Sequence, residues 1–251
     1  MQPLAAHELL EVWETGVRLS PVRRALLLLA ASCPEAVPSE LEHLSIGERD
    51  ARLLQLRAWS FGSRLEGLAV CPYCHERLEV TLEVDDLLRN APLKANDAMG
   101  QDDRVLACCG ENYELRFRLP NSLDLLAIEG EVDEVEAARL LLQRCLLENR
   151  EKEKPCPDKV LGAEAVQAVL ESLGQADPLA DLRLALNCPA CQGSWESPLD
   201  IATFFWKEIE AWAHRLLRQI HVLAWAYGWR EQDILSMSAW RRHYYLNLLG
   251  G

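Results

Sequence analysis

Cys71-Pro72-Tyr73-Cys74 and Cys188-Pro189-Ala190-Cys191 repeat one short pattern at two places in a 251-residue chain, with 113 residues between the inner cysteines. Two thiolates separated by two residues reach one Zn²⁺ from a single tight turn, which supplies half of a tetrahedral Cys₄ shell. One pair is an incomplete site, and the second completes it. After Cys74, Leu78, Val80, Leu82 and Val84 alternate with Arg77, Glu79, Thr81 and Glu83, and Leu182, Leu184 and Leu186 alternate into Cys188. A period of two fits half-buried strands. The expectation is a structural Zn²⁺ on Cys71, Cys74, Cys188 and Cys191. It joins two distant halves of a small antiparallel, zinc-ribbon-like sheet in an α+β fold that is otherwise mainly helical.

Cys-Pro-Tyr-Cys is also the active-site motif of glutaredoxin-like oxidoreductases, in which the first thiolate opens a helix after a strand. The surroundings here are inverted. Residues 61–70 read as a helix end, strand alternation follows Cys74, and a thiol oxidoreductase has no use for a second pair.

Composition narrows the function classes. At 49% hydrophobic and 26% charged residues the chain has the mixture of a globular protein with a real core. Nine cysteines are an odd count. With no signal peptide and two Cys-x-x-Cys pairs, they point to a reducing compartment with thiols on metal. Cys33, Cys108, Cys109, Cys145 and Cys156 read as small buried or incidental residues. No apolar run approaches the roughly 18 residues of a membrane span. A net charge of −13 opposes nucleic acid, whose phosphates call for surplus Lys and Arg. That weighs against a zinc-ribbon nucleic-acid or transcription module.

Five segments follow. Residues 1–66 read as helices: 7–17 with Leu9, Leu10 and Trp13, a second opened by Ser20 and Pro21, and two more from capping boxes at Ser39/Glu42 and Ser45/Glu48. Residues 67–120 hold the first ribbon half and a hairpin around Gly110, with Leu115 and Phe117 on one side. Residues 121–177 read as a helical insertion, its second helix running over 132–147 and a charged connector over 149–158. Residues 178–200 are the second ribbon half, closed by a capping box at Ser197/Asp200 with Pro198 as first helical residue. In residues 201–251, Ile201, Phe205, Ile209, Trp212, Leu216, Ile220 and Leu223 mark one stripe of a long helix, and two shorter helices follow.

Six of the eight tryptophans lie from Trp195 onward. Core packing accounts for most of this aromatic surface. Trp206, Trp212, Trp225, Trp229, Trp240 and Tyr245, with Arg230, Arg241 and Arg242, are also residue types that dominate protein interfaces. From Ile201 onward six Lys and Arg stand against four Asp and Glu, so a mildly basic aromatic tail is joined to an acidic body. No glycine-rich phosphate loop, Gly-x-Ser-x-Gly elbow or His-Glu-x-x-His helix is present, and the six histidines are scattered. A non-enzymatic role is expected.

The phrases Leu9 to Trp13, Arg24-Ala25-Leu26-Leu27-Leu28-Leu29-Ala30 and Ile46-Gly47-Glu48-Arg49-Asp50 lead into the first cysteine pair. The closing phrase runs from Phe205-Trp206-Lys207-Glu208-Ile209 through Ala226-Tyr227-Gly228-Trp229 to Arg241-Arg242-His243-Tyr244-Tyr245. Together they are similar to tail and baseplate assembly proteins of contractile-tailed phages and phage-like injection systems, including the hub proteins of the T-even type. The resemblance implies a hub component or assembly factor in the bacterial cytoplasm, with hub, spike or tape-measure proteins as partners and neither nucleic acid nor membrane among them. Retention in the finished particle, and the number of copies, stay open at this point.

Overall fold

Four short helices divide the first sixty residues, and Ser45 alone of their N-cap residues caps with its side chain. The computed structural model describes residues 1–89, 105–109, 113–151 and 162–250. Four helices open it: α1 (Ala6–Gly16), α2 (Pro21–Ser32), α3 (Pro38–Glu42) and α4 (Ile46–Phe61). The Ser45/Glu48 box forms at the head of α4: Ser45 Oγ accepts from the Glu48 N–H at 3.2 Å, and the Ser45 N–H donates to the Glu48 carboxylate at 3.3 Å. The Ser39/Glu42 box does not form. Pro38 starts α3, so Ser39 lies inside it, and Glu40 takes the Val37 N–H instead. Gly62, at φ +94°, turns the chain out of α4.

Residues 64–70, read from sequence as a helix end, are strand β1 (Arg64–Val70), paired antiparallel with β2 (Arg77–Glu83). Gly67 and Ala69 occupy inward positions between Leu65 and the turn, and such small residues mute the alternation that marks a strand. A short helix α5 (Val84–Arg89) follows. Strands β3 (Val105–Cys109) and β4 (Tyr113–Arg118) form the expected hairpin, whose Gly110 lies outside the described residues. After α6 (Ser122–Ile128), α7 (Glu134–Cys145) ends earlier than expected and the chain becomes strand β5 (Leu146–Glu151), completing a three-stranded sheet. Leu146 packs with Leu115 and Phe117, and Glu148 pairs with Arg116 on β4, so tertiary contacts override a helix-favouring composition. The expected connector over 149–158 is therefore strand to Glu151, and the rest of it lies outside the described residues. Helix α8 (Ala163–Ala176) covers this sheet with Ala165 and Val169.

The second cysteine pair sits between β6 (Arg183–Asn187) and β7 (Ser194–Pro198), again antiparallel. Pro198 ends β7 instead of opening a helix. Asp200 is the cap, its carboxylate accepting from the Thr203 N–H at 3.0 Å, and α9 (Ile201–Tyr227) starts one residue later. Gly228 at φ +69° stops α9, and α10 (Glu231–Ser236) and α11 (Ala239–Leu249) fold back on it.

The expected stripe is the buried face of α9. Its first part, Ile201, Phe205 and Ile209, joins Leu28, Leu29, Leu53, Leu54 and Leu56 in the main core, and its later part, Leu216, Ile220 and Leu223, packs on Leu10 and Ile234. Arg57 locks the junction. Its guanidinium donates to both oxygens of Glu208 at 2.8 and 2.6 Å and to the carbonyls of Gly62 and Arg64, tying α4, β1 and α9 at one point. The architecture is α+β and mainly helical with small antiparallel sheets, as expected. No helix among the described residues is long and apolar enough to cross a membrane.

Candidate metal centre

The turns of the two hairpins are built alike. In the first, the Cys71 N–H donates to the Glu76 carbonyl at 2.9 Å and the His75 N–H to the Cys71 carbonyl at 3.0 Å. In the second, the Cys188 N–H donates to the Gly193 carbonyl at 2.9 Å and the Gln192 N–H to the Cys188 carbonyl at 2.8 Å. The fourth residue after each leading cysteine is left-handed, His75 at φ +62° and Gln192 at +60°. Each turn curls around its own cysteine pair and leaves backbone N–H groups facing sulfur.

The two turns meet. All four Sγ atoms lie within 4.8 Å of one another, with Cys71 to Cys191 and Cys74 to Cys188 at 3.6 Å each. A tetrahedral ion with ligand bonds of about 2.3 Å sets its sulfurs roughly 3.8 Å apart, and a disulfide holds them at about 2.05 Å. The observed spacing matches the first. The leading cysteines, Cys71 and Cys188, are buried, and Cys74 and Cys191 are exposed.

The thiols show what four sulfurs in one place demand. Burial pushes the Cys71 thiol up, but the N–H groups of Cys74 and Tyr73 and the thiols of Cys191 and Cys74 outweigh it and bring Cys71 down to about 7. The N–H of Glu76 pulls Cys74 down, yet desolvation and its three sulfur neighbours leave it at about 12. The N–H of Gly193 acts in the same sense on Cys191, which nevertheless ends raised. One thiolate forms readily and resists the next, a conflict that a divalent cation removes. The donor set, four sulfurs with backbone N–H support, fits zinc. Neither cysteine pair opens a helix, as the oxidoreductase motif requires, because each lies in the turn of a two-stranded hairpin.

Two residues that the spacing did not mark hold the turns together. Tyr73 lies across the second turn and donates to the Ser194 carbonyl at 3.3 Å. Gly193 makes room for it, since a Cβ there would stand 2.5 Å from the tyrosine ring and 3.3 Å from Cys191 Sγ. Nothing in either motif distinguishes this tyrosine from the alanine at the matching position. Of the other cysteines, Cys33 is half-buried beside Ser32, and Cys145 is buried near Asp124, its thiol pushed up to about 11 by burial and that carboxylate. The side chains of Cys108 and Cys109, and all of Cys156, lie outside the described residues.

The nine aromatic and basic residues of the tail separate into two groups. Trp206 is buried against Gly16 with the Arg24 guanidinium over its ring at 4.6 Å, Trp212 is half-buried in the core, and Arg242 is buried with Nη1 on the Met237 carbonyl. Trp229 stacks on Tyr227 at 4.4 Å and meets Tyr245 edge-on, closing the corner between α9 and α11. Trp225 at 84% and Trp240 at 76% exposure stand out into solvent, Tyr244 stacks on Trp240, and Arg230 and Arg241 are exposed as well.

No curated protein and no solved structure matches the chain. Residues 21–206 match a family model described as T4 bacteriophage base plate protein. The match runs from the first residue of α2 to Trp206 on α9, and both cysteine turns, the three small sheets of the described residues and most of the main core fall within it. The chain belongs to the T4 bacteriophage base plate protein family.

Proposed function

We propose that the chain is a non-enzymatic base plate hub component or assembly factor of a phage-type contractile particle, working in the bacterial cytoplasm. The observation that carries this reading is the family match over residues 21–206. Cys71, Cys74, Cys188 and Cys191 hold one structural Zn²⁺. The ion supplies a cross-link between hairpins that are two-stranded and share no hydrogen-bonded sheet. The exposed rings of Trp225, Trp240 and Tyr244 and the exposed cations Arg230 and Arg241 are the side chains that meet a protein partner. Exposed aromatic rings and arginines are the residue types of an interface anchor.

The purified chain should carry about one zinc, lost in Cys188→Ser. Co-purification of hub, spike or tape-measure proteins encoded with this chain should survive in wild type and fail in a Trp225→Ala/Trp240→Ala/Tyr244→Ala variant. No co-purification with wild type, or none lost in that folded variant, would sink the partner face. Deleting residues 201–251 cannot serve as the control, because Phe205, Trp206 and Ile209 belong to the main core.

A further inference from the structure

The outer face of α9 is cationic on a chain whose net charge is −13. Opposite the buried stripe, Lys207, Ala211, Arg215 and Arg218 are exposed, and Glu210 is the one exposed acid of the helix. Residues four apart on a helix stack in one row, so Ala211 lies between Lys207 and Arg215 with a cation one turn to either side. The row is about 12 Å long, and its small central residue makes it a shallow notch. Glu208, the other acid nearby, is held by Arg57. Among the described residues no carboxylate lies within ion-pair distance of Lys207, Arg215 or Arg218.

The turn between α6 and α7 has the opposite character. Val132 and Val135 are 94% and 78% exposed, and Glu129, Glu131, Asp133 and Glu134 around them are exposed too. The turn is preformed. The Glu131 carboxylate accepts from the N–H groups of Val132 and Asp133 at 3.0 and 3.1 Å, and the Asp133 carboxylate accepts from the Val135 N–H at 2.9 Å. Glu129 and Glu134 meet no cation among the described residues. An apolar tip ringed by carboxylates complements an alanine flanked by cations in both shape and charge. No ion pair joins the two within one copy, so the complement has to come from another.

We propose that the occupant of the outer α9 face is a second copy of this chain. The turn between α6 and α7 of one copy seats on α9 of the next, Val132 over Ala211, with Glu129 and Glu134 toward Lys207 and Arg215. The contact joins unlike patches, so copies add head to tail. It covers on the order of a few hundred Å², below the roughly 1,000 Å² of a stable pair, and is therefore weak and visible at high concentration. It uses none of the tail side chains assigned to the protein partner above, and its failure leaves the co-purification result untouched.

Sedimentation velocity of the full chain over a concentration series tests it. The average mass of the wild type should rise with concentration. Lys207→Glu/Arg215→Glu and Glu129→Lys/Glu134→Lys, all at exposed positions, should each keep the wild-type melting temperature and weaken association by about tenfold or more. An equimolar mixture of the two variants should associate as the wild type does, because each reversed patch then meets its reversed complement. Glu79→Lys/Glu196→Lys, the same change of net charge at exposed positions on the cysteine hairpins, should associate like the wild type. A wild type that stays monomeric throughout, a reversed variant that still associates, a control that loses association, or a mixture that stays apart would each overturn the contact. So would a monomeric wild type whose co-purified protein is lost in Lys207→Glu/Arg215→Glu, which would give this face to a different occupant.

Discussion

At the scale of single residues, the two cysteine turns depend on a contact that neither motif encodes. Tyr73 from the first turn rests on Gly193 of the second, where a Cβ would stand 2.5 Å from the ring. Gly193→Ala should therefore weaken retention of the proposed zinc and cost about 1–3 kcal/mol, the usual penalty of overpacking. Faster transfer of the metal to a chelator would report it, and an unchanged transfer rate would refute the contact's role. Asp50 carries a second prediction. Burial pushes its carboxyl up to about 6 from 3.8, against the pull of Arg49. Between about pH 4 and 6 the folded chain thus keeps a proton there that the unfolded chain has released, so this group adds stability as pH falls through 6 and loses it as pH rises. The contribution is on the order of 2 kcal/mol. The stability difference between wild type and Asp50→Asn, from denaturant melts at pH 7 and pH 5, should shift in favour of wild type at pH 5. Asp124 works in the opposite sense. Burial pushes its carboxyl up, but Arg118 at 2.8 Å and Arg144 at 2.9 Å outweigh it and hold it below the ordinary value, so its contribution disappears as pH falls below about 4.

At the scale of elements, α9 is the piece the sequence announced most clearly. Seven apolar residues at steps of three and four mark one face, and the structure buries that face along its length, with Trp212 only partly covered. Its anchor to the rest is less visible, because Arg57 and Glu208 are 151 residues apart. Glu208→Ala should cost about 3 kcal/mol or more, since it strands a guanidinium whose side chain is 3% exposed. Thermal denaturation reads it, and a loss below 1 kcal/mol would show that Gly62 and Arg64 alone satisfy Arg57. The four-cysteine centre was legible for a similar reason to the helix: ligand spacing is local, and two identical spacings need each other. Strands β1 and β5 were not. In β1 small inward residues hide the alternation, and β5 is strand because β4 offers it an edge, a fact held by the partner and absent from its own residues. The buried pair of Arg49 and Asp50 near the start of α4 was likewise out of reach, since adjacent charged residues on a helix ordinarily face water.

At the scale of the whole molecule, the core joins the two ends of the chain. Leu9, Val12, Leu28 and Leu54 pack with Ile201, Phe205 and Ile209, so a chain stopped at residue 200 should show no cooperative melting transition. Trp225→Ala with Trp240→Ala should leave the melting temperature within a degree or two, because those rings touch little of the core. A large loss there would place the rings in the fold instead of at its surface. The proposed partner contact uses the exposed Arg230 and Arg241, so it should weaken as salt rises.

The distance along the chain between the two cysteine turns has a consequence during synthesis. The first turn leaves the ribosome more than a hundred residues ahead of the second, and α9, which completes the core, follows later still. A nascent chain thus carries Cys71 and Cys74 without the second pair for more than a hundred residues of synthesis, and the proposed ion finds its full shell only after Cys191 has emerged. A product terminated before Cys188 could not complete the proposed four-cysteine shell.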